Sequence, residues 1–364
     1  MKIIIFAGGS GRRLWPISRV KSPKQFEPII DKKSTLQLAV DRVIEKYGAE
    51  NIFISTNEHY QALVRSQLPQ LPPEQIIGEP DRRDLAAAVG LAMAHIVQNS
   101  PAAVDEPVAI LWGDNYMKNV ANFRGLLTAA ERLLQDGTSR IFFIGESPRF
   151  ANENLGWLGL GPVINQDGEF PCYGFESLTY RPQLEECRQM FASGDFVWNT
   201  GYFVTTPGYV RDLYRQYQPE MWALLMKIEE SISLPDYKKT LHHVYPQIES
   251  ISFDDAILAH VPSQDAAVLH GELGWSDPGT LYALKEAIEP NKDRNVIKGT
   301  VVDEQSRDCL IYNYTPDKLV VTVGLEGMII VNTADALLVV HKDQIPLVKK
   351  VVEGFEGSAL DAYG

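Results

Sequence analysis

The chain has 364 residues, of which 45% are hydrophobic, and this is enough for one large core and a smaller second domain. Its formal net charge of -13 excludes the broad basic face that nonspecific binding to nucleic acid or to an anionic membrane requires. Cys172, Cys187 and Cys309 are odd in number and widely spaced, which favours neither a disulfide framework nor a thiolate metal site. Since neither a signal sequence nor a membrane-spanning apolar stretch is recognisable, we expect a cytoplasmic protein without nucleic-acid or membrane partners.

Short apolar runs alternate with amphipathic segments in the first part of the chain. The predicted strands are 2–6, 51–55, 75–78, 108–112 and 140–144, and the predicted helices are 35–47, 85–98 and 123–135. Continuous hydrophobicity in 3–6 and 110–112 is typical of strands that are covered on both faces. The pattern predicts an α/β fold with a Rossmann-like, mostly parallel sheet flanked by helices.

The pattern changes twice further along the chain. Glycine-punctuated strands over 156–177 predict an antiparallel insertion, and a helix is predicted over 182–191. After Pro290, short strands separated by turn residues lead to a predicted helix over 345–353. We therefore predict a large domain over 1–289 and a small C-terminal β domain with a terminal helix over 290–364.

A glycine-rich loop follows the first predicted strand and is itself followed by cations. Its small residues are Gly8, Gly9, Ser10 and Gly11, and the cations are Arg12, Arg13, Arg19, Lys21 and Lys24. The loop fits neither the Walker pattern nor the dinucleotide fingerprint. Glycines expose backbone N–H donors and the cations supply charge, so the loop predicts a polyphosphate ligand.

The stretch G-G-S-G-x-R-L-W-P-x-S-R, followed by P-K-Q-F, resembles the signature of the sugar-1-phosphate nucleotidylyltransferases. Trp15, Pro16, Gln25 and Phe26 are similar to the mannose-1-phosphate guanylyltransferase branch of that family. The resemblance implies the fold of the nucleotide-diphospho-sugar transferases, with a β-helix-like C-terminal unit that contributes to the contacts of a homodimer. It also implies that the glycine loop and Arg12 bind the nucleotide phosphates.

Further roles follow from the same resemblance. A catalytic Arg and Lys, matching Arg13 and Lys24, stabilise charge during transfer, and Gly113 joins the nucleotide-binding residues. Asp114 alone is equally typical of a helix cap, but the family has an Asp there that binds a divalent cation. Its partner is the Asp of a W-S-D-x-G motif, which is Asp277 here. Two carboxylates completed by phosphate oxygens and water suit Mg²⁺, the predicted cofactor.

The base pocket is predicted at Glu79, Arg83 and Asp84, which resemble the family's E-P-x-x-R-N-T motif. Asp84 replaces the usual Asn, and Leu85 replaces the usual Thr. An acidic acceptor pairs with the N1–H and N2 donors of guanine, which favours GTP. The alternative is that Asp84 caps the helix predicted over 85–98.

The predicted sugar pocket departs further from the family pattern. Its candidate residues are Gly156, Trp157, Tyr180, Asn199 and Asp254, with Arg181 as a third catalytic residue that binds the sugar phosphate. Tyr180 and Arg181 stand where the family has Glu and Lys of an E-K-P motif, and Ala259 replaces a further Glu. Arginine retains the charge and adds a bidentate fork, whereas tyrosine offers one hydroxyl and a bulky ring.

The resemblance thus implies transfer of a guanylyl group from GTP to mannose 1-phosphate, which yields GDP-mannose and pyrophosphate. Two alternatives remain open at the level of sequence. One is the same reaction on another hexose or a heptose 1-phosphate, because the sugar pocket is altered. The other is a catalytically silent homologue that binds a sugar nucleotide and regulates a partner.

Overall fold

The structure, a computed structural model, describes residues 1–9, 14–19, 23–29, 32–99, 101–165 and 169–364. It divides into two compact units. The first unit comprises residues 1–8, 39–113 and 118–273, and the second unit comprises 9–38, 114–117 and 274–364. The sequence predicts a domain boundary at 289/290, which differs from the division into these two units. That boundary stays a prediction. Contacts between sequence-distant residues define the second unit, in which Leu14 and Ile17 share a buried apolar cluster with Leu310 and Ile329.

The first unit contains a nine-stranded sheet in the order β3-β2-β1-β4-β8-β5-β9-β7-β6. Its strands are β1 Lys2–Phe6, β2 Ile52–Asn57, β3 Ile76–Glu79, β4 Val108–Trp112, β5 Ile141–Glu146, β6 Gly156–Asn165, β7 Cys172–Tyr180, β8 Phe196–Thr205 and β9 Ala266–Gly271. The four strands from β3 to β4 are parallel, as is the pair β5–β9. The α/β class is confirmed, and β6 and β7 pair in the predicted antiparallel manner.

The antiparallel part of this sheet is larger than the sequence pattern predicts. Strand β8 lies between β4 and β5 and runs antiparallel to both. Its residues Phe203 and Val204 are as fully buried as those of a central parallel strand. Because a strand covered on both faces has the same hydrophobic pattern in either direction, the sequence alone does not show its orientation.

Helices cover the sheet of the first unit. They are α2 Gln61–Gln67, α3 Asp84–Asn99, α4 Val120–Gln135, α5 Leu184–Ser193, α6 Pro207–Tyr217, α7 Pro219–Ser231, α8 Tyr237–Val244 and α9 Phe253–Ala256, while α1 Thr35–Tyr47 continues from the second unit into the first. Helix α3 contributes Ala87 and Leu91 to the same buried cluster as Ile4 and Ile110 of the sheet. Gly90 permits a close helix contact, since a Cβ there would lie 2.3 Å from a methyl group of Leu225 in α7.

In its described residues, the second unit contains two small sheets and, besides the start of α1, two helices. Its elements are α10 Leu281–Ile288, β10 Val296–Lys298, β11 Val301–Glu304, β12 Leu310–Asn313, β13 Val320–Val323, β14 Met328–Asn332, β15 Leu337–His341 and α11 Ile345–Glu353. Strands β10, β12 and β14 pair in parallel in one sheet, and the intervening β11 and β13 pair in parallel in the other. This alternation between two sheets is that of a β-helix, so the β-helix-like prediction is confirmed.

Inside this β-helix, asparagines stack between successive turns. The Nδ2 of Asn332 donates a hydrogen bond of 2.8 Å to Oδ1 of Asn313, whose own Nδ2 donates to the carbonyl oxygens of Thr300 and Lys318. These side chains bond to backbone carbonyls of neighbouring turns and so connect the turns to one another. In the part of the chain that the structure describes, no helix combines the length and apolar character needed to cross a bilayer.

Gly299 occupies a turn of the β-helix that only glycine fits. Its φ of +86° is unfavourable for other residues, and a Cβ would lie 2.0 Å from the carbonyl oxygen of Asn313. We predict that Gly299→Ala lowers the free energy of unfolding by about 2–4 kcal/mol, because strain and a backbone clash add. Gly324→Ala is the matched control, since its φ is +63° but a Cβ there meets nothing within 4 Å. Urea unfolding measures both variants, and equal losses in the free energy of unfolding would contradict the predicted clash.

Candidate active site

Lys24 brings together the two aspartates that the sequence singles out as metal ligands. Its Nζ lies 3.3 Å from Oδ2 of Asp114 and 3.4 Å from Oδ1 of Asp277. All three residues belong to the second unit, although they come from three distant segments of the chain. Lys24 itself is buried in a short helical turn, whereas the side chains of Asp114 and Asp277 are 42% and 47% exposed. The two carboxylates are therefore near one another and accessible to a ligand.

The backbones that carry these aspartates are paired with each other. The N–H of Tyr116 donates to the carbonyl of Ser276 at 2.9 Å, and the N–H of Ser276 donates back at 3.0 Å. The indole Nε1 of Trp275 donates to Oδ1 of Asn115 at 3.2 Å. These bonds connect Asn115 and Tyr116, which follow Asp114, to the two residues that precede Asp277. The segment that begins at Asp114 and the W-S-D motif thus form one local structure in the second unit.

The positive charge of Lys24 does not fully neutralise the two aspartates beside it. Burial by itself lowers the pKa of Lys24, but the charges of Asp114 and Asp277 and their hydrogen bonds outweigh it, so that its pKa lies above the ordinary value. Lys24 therefore stays protonated, and two carboxylates with one ammonium carry a net negative charge. Hard carboxylate oxygens with partial exposure fit a divalent ion of the Mg²⁺ type.

No group of three or more His, Cys, Asp or Glu that would enclose a metal occurs among the residues that the structure describes. Asp114 and Asp277 would hold a divalent ion as two protein ligands, and phosphate oxygens and water would supply the rest. That ligand set suits Mg²⁺, which retains several waters and binds together with substrate phosphates. The donor chemistry of the cluster is therefore compatible with the predicted cofactor.

The two described glycines of the predicted phosphate loop are accessible to solvent. Gly8 and Gly9 are exposed, and a Cβ at either position would meet nothing within 4 Å. The carbonyl of Gly9 accepts a hydrogen bond of 3.1 Å from Nε2 of Gln25, which neighbours Lys24. Four other predicted residues of this loop, Ser10, Gly11, Arg12 and Arg13, lie outside the described residues, as does Lys21. The N–H of Gly113 donates to the carbonyl of Phe6 at 2.9 Å.

Arg19, counted among the cations of the loop, has a different set of contacts. Its Nη2 lies 2.9 Å from Oδ1 of Asp335, and its Nη1 donates to the carbonyl oxygen of Tyr363. The guanidinium also lies over the ring of Trp15, at 5.2 Å from the centroid. Arg19 therefore joins two parts of the second unit, and its charge is already paired. The sequence did not reveal this, because its acidic partner is more than 300 residues away.

Glu79 lies at the end of β3, in the predicted base pocket of the first unit. Its carboxylate accepts hydrogen bonds from the hydroxyl of Tyr245 at 2.8 Å and from that of Ser55 at 3.2 Å. Burial raises the pKa of Glu79 to about 7, although both hydrogen bonds act in the opposite direction. Sequence reasoning missed Tyr245 and Ser55, since only the fold places them beside β3.

The other predicted base-pocket residues have local partners. Nη2 of Arg83 lies 2.8 Å from Oδ2 of Asp81. Asp84, the first residue of α3, has a φ of +62°, and its Oδ1 accepts from the N–H of Leu85 at 2.8 Å. This bond is to the next residue and therefore differs from a helix N-cap, which accepts from an N–H two or three positions further on. Because the Asp84 side chain is exposed, it also remains accessible to a base.

Three of the predicted sugar residues lie side by side on adjacent strands. Gly156 of β6 is opposite Tyr180 of β7 on one side and Asn199 of β8 on the other. The Arg181 guanidinium covers the Tyr180 ring, at 5.1 Å from its centroid, and Arg181 has a φ of +49°. Tyr180 and Asp254 line one cavity of about 520 Å³. Burial raises the pKa of Asp254, and the neighbouring charges of Asp255 and Asp84 add to this effect.

Trp157 is placed differently from the sugar-contact prediction. Its side chain has no exposed surface and packs with Trp198, Cys187 and Met190. Its Nε1 donates to the carbonyl of Asn152 at 3.0 Å. The Trp157 side chain therefore stabilises the strands that carry Gly156 and Asn199 and is not accessible to a ligand. Side chains alternate along β6, so the Trp157 side chain lies on the face of the sheet opposite to that of its neighbours Gly156 and Leu158.

The raised pKa of Glu79 predicts an unusual pH dependence of stability. Its pKa is about 7 in the folded protein and 4.5 for an unperturbed carboxyl, so the folded state binds more protons between these values. We expect its contribution to stability to be present below pH 4.5 and to be lost as pH rises through 7. The slope is at most about 1.4 kcal/mol per pH unit.

Urea unfolding of the wild type and of Glu79→Gln at a series of pH values measures this contribution. The difference in the free energy of unfolding between wild type and Glu79→Gln should change between pH 4.5 and about 7 and be constant at higher pH. Glu74→Gln is the control, because Glu74 is exposed. Parallel curves for wild type and Glu79→Gln would contradict the raised pKa.

Comparison with known proteins agrees with this architecture. The model of the nucleotidyl transferase family matches residues 2–294, and that of the MannoseP isomerase/GMP-like beta-helix domain matches residues 299–355. The chain therefore belongs to the nucleotidyl transferase family. Enzymes of this family act on nucleoside triphosphates and sugar 1-phosphates and generally use a divalent metal ion.

Individual relatives are similar over nearly the whole chain. The mannose-1-phosphate guanylyltransferase RfbM of Salmonella typhimurium is 30% identical over 99% of this chain and 73% of its own length. The mannose-1-phosphate guanylyltransferase of Escherichia coli K12 is 28% identical over 96% of this chain and 72% of its own. A crystal structure from Thermus thermophilus, described as a mannose-1-phosphate geranyltransferase, is 26% identical with a TM-score of 0.85, and covers 98% of this chain and 99% of its own.

Proposed function

We propose that this chain transfers a guanylyl group from GTP to mannose 1-phosphate, producing GDP-mannose and pyrophosphate. The observation that carries the proposal is the cluster in which Lys24 contacts Asp114 and Asp277, since it offers one cation and two metal-binding carboxylates. The relatives named as mannose-1-phosphate guanylyltransferases support the choice of substrates.

In the proposed reaction, an oxygen of the sugar phosphate attacks the α-phosphorus of the nucleotide. A new P–O bond forms as the bond between the α-phosphorus and the bridging oxygen breaks, and pyrophosphate leaves with that electron pair. Lys24, Arg13 and Arg181 would neutralise charge on the phosphates, and Asp114 and Asp277 would hold Mg²⁺. A bound Mg²⁺ would supply further neutralisation of phosphate charge. The side chains would act by positioning and electrostatics and would form no covalent intermediate.

The remaining predicted residues have proposed roles in binding. Backbone groups of Gly8, Gly9 and Gly113 and the segment 10–12 would bind the nucleotide phosphates. Glu79, Arg83 and Asp84 would form the base pocket, and Glu79 in its ionised form would accept from the N1–H and N2 donors of guanine. The sugar would contact Gly156, Tyr180, Asn199 and Asp254.

A second candidate keeps the reaction and changes the sugar to another hexose or a heptose 1-phosphate. The cavity that Tyr180 and Asp254 line favours this candidate, because Tyr180 is 66% exposed and Ala259 also lines the cavity. A bulky aromatic ring and a small residue, in place of two carboxylates, change both the shape of the cavity and its hydrogen-bonding groups, which favours a different sugar.

We also propose that the protein works in the cytoplasm as a homodimer. Exposed aliphatic side chains on the β-helix support the dimer, since contiguous apolar surface is typical of interfaces. They include Val302, Leu319, Val321, Val323, Leu337 and Val339.

A matrix of nucleoside triphosphates against sugar 1-phosphates, with Mg²⁺ and with pyrophosphate release as the readout, tests the proposed function. We expect the highest kcat/KM for GTP with mannose 1-phosphate. Faster turnover of a heptose or another hexose 1-phosphate would favour the second candidate. Nucleotide binding without turnover of any pair would overturn both and favour the silent homologue.

Lys24→Ala should lower kcat by about 10²–10³-fold, because it removes charge stabilisation beside the transferred phosphates. Pyrophosphate release under saturating substrates measures this effect, and circular dichroism confirms that the variant is folded. Lys349→Ala is the control, since Lys349 is exposed and pairs with Glu353 in the same helix. Unchanged turnover in folded Lys24→Ala would refute the role of Lys24.

A further inference from the structure

The segment after β5 contains a buried acid that none of the roles above uses. Glu146 is the last residue of β5 and is 1% exposed. Its Oε2 accepts a hydrogen bond of 2.8 Å from the backbone N–H of Leu273, and its Oε1 forms an ion pair with Nη1 of Arg149. A carboxylate in this environment is stable only with such partners, because removing it from water is costly. Glu146 therefore fixes both Leu273 and Arg149.

Arg149 in turn covers the aromatic ring of the residue that precedes Asn199 in β8. Its guanidinium lies over Trp198, at 5.0 Å from the ring centroid. Trp198 also makes edge contacts with Phe150 at 5.1 Å and with Trp157 at 6.2 Å. Packing and the cation–π contact with Arg149 therefore hold the Trp198 ring in place. Among the described residues, its buried Nε1 has no hydrogen-bond partner that would also orient it.

The backbone at Trp198 leads directly into a distortion of β8. Trp198 and Asn199 pair with Glu146 and Gly145 of β5, but the register shifts between Gly145 and Ile144. Gly201, with a φ of +76°, lies in this bulge, and its N–H donates to Oδ1 of Asn199 at 2.9 Å. Bulges re-aim side chains and are frequent beside functional sites. Here the bulge orients Asn199 beside Gly156, since a Cβ on Gly156 would lie 3.6 Å from the Asn199 Nδ2.

We propose that Glu146 is a positioning residue for sugar 1-phosphate binding, which it supports by holding Arg149 against Trp198 and thereby fixing the bulge at Asn199. The inference rests on the proposed function, because it takes Asn199 as a sugar contact. Neither Glu146 nor Arg149 touches the sugar in this assignment. Their effect is on the affinity for the sugar phosphate, with little effect on the nucleotide.

Two variants separate the contacts of Glu146. Glu146→Gln keeps an oxygen that can accept from Leu273 but loses the charge that faces Arg149, and Arg149→Met removes the guanidinium but keeps the length of the side chain. We expect each to raise the KM for mannose 1-phosphate about fivefold to tenfold, with kcat and the KM for GTP changed less than about twofold. The double variant should be no worse than either single one, because both act through the same contact. Arg149→Lys keeps the positive charge and should therefore have a lower KM for mannose 1-phosphate than Arg149→Met.

The matched control is Arg188→Met, which breaks an exposed ion pair with Glu185 on α5 of the same unit. We expect its kinetic constants to equal those of the wild type. Thermal unfolding of every variant identifies a purely structural role, which would lower the melting temperature without changing the ratio of the two KM values. That result, or equal increases in both KM values, would overturn the proposal.

Titration with mannose 1-phosphate, followed by tryptophan fluorescence, measures binding without requiring turnover. Weaker binding by Glu146→Gln and Arg149→Met than by wild type supports the positioning role. If the wild type neither binds nor turns over any sugar 1-phosphate, the proposed function fails and this inference fails with it. If the wild type is active and the variants match it, only the inference fails.

Discussion

The contact of one buried ammonium with two carboxylates is the interaction on which the candidate chemistry depends. Lys24 lies within 3.4 Å of both Asp114 and Asp277, although the three residues belong to distant segments. Unpaired, the two carboxylates would repel each other, and a buried lysine would be driven toward its neutral form. Together they keep Lys24 charged and leave both carboxylates partly exposed, which suits the proposed binding of a metal–triphosphate complex.

Backbone and side-chain hydrogen bonds hold this cluster in the second unit. The reciprocal bonds between Tyr116 and Ser276, with the bond from Trp275 to Asn115, fix the two aspartate segments against each other. Such preorganisation matters for a reaction that proceeds by positioning and charge neutralisation, because no reorganisation is then needed when substrate binds. The second unit also ties Arg19 to Asp335, so the C-terminal β-helix supports the segment that follows the phosphate loop.

The predicted sugar wall of the first unit is also held in place by its neighbours, through strand pairing and packing. Gly156, Tyr180 and Asn199 come from three adjacent strands, and a bulge in β8 sets the orientation of Asn199. Trp157 stabilises this wall from the buried face. Sequence comparison with a motif assigned Trp157 to the sugar because the motif gives positions along the chain. The face of the strand on which a side chain lies is decided by the pleat and its neighbours.

Local patterns in the sequence were sufficient for many of the elements and for the fold class. Strands β1 and β4 and helices α1 and α11 have the predicted bounds, since hydrophobic periodicity is a property of neighbouring residues. The tertiary structure alone decided the direction of β8, the pairing of Arg19 with Asp335 and the burial that raises the pKa of Glu79. These properties depend on residues far apart in the chain, whose contacts and loss of solvent arise only when the fold brings them together.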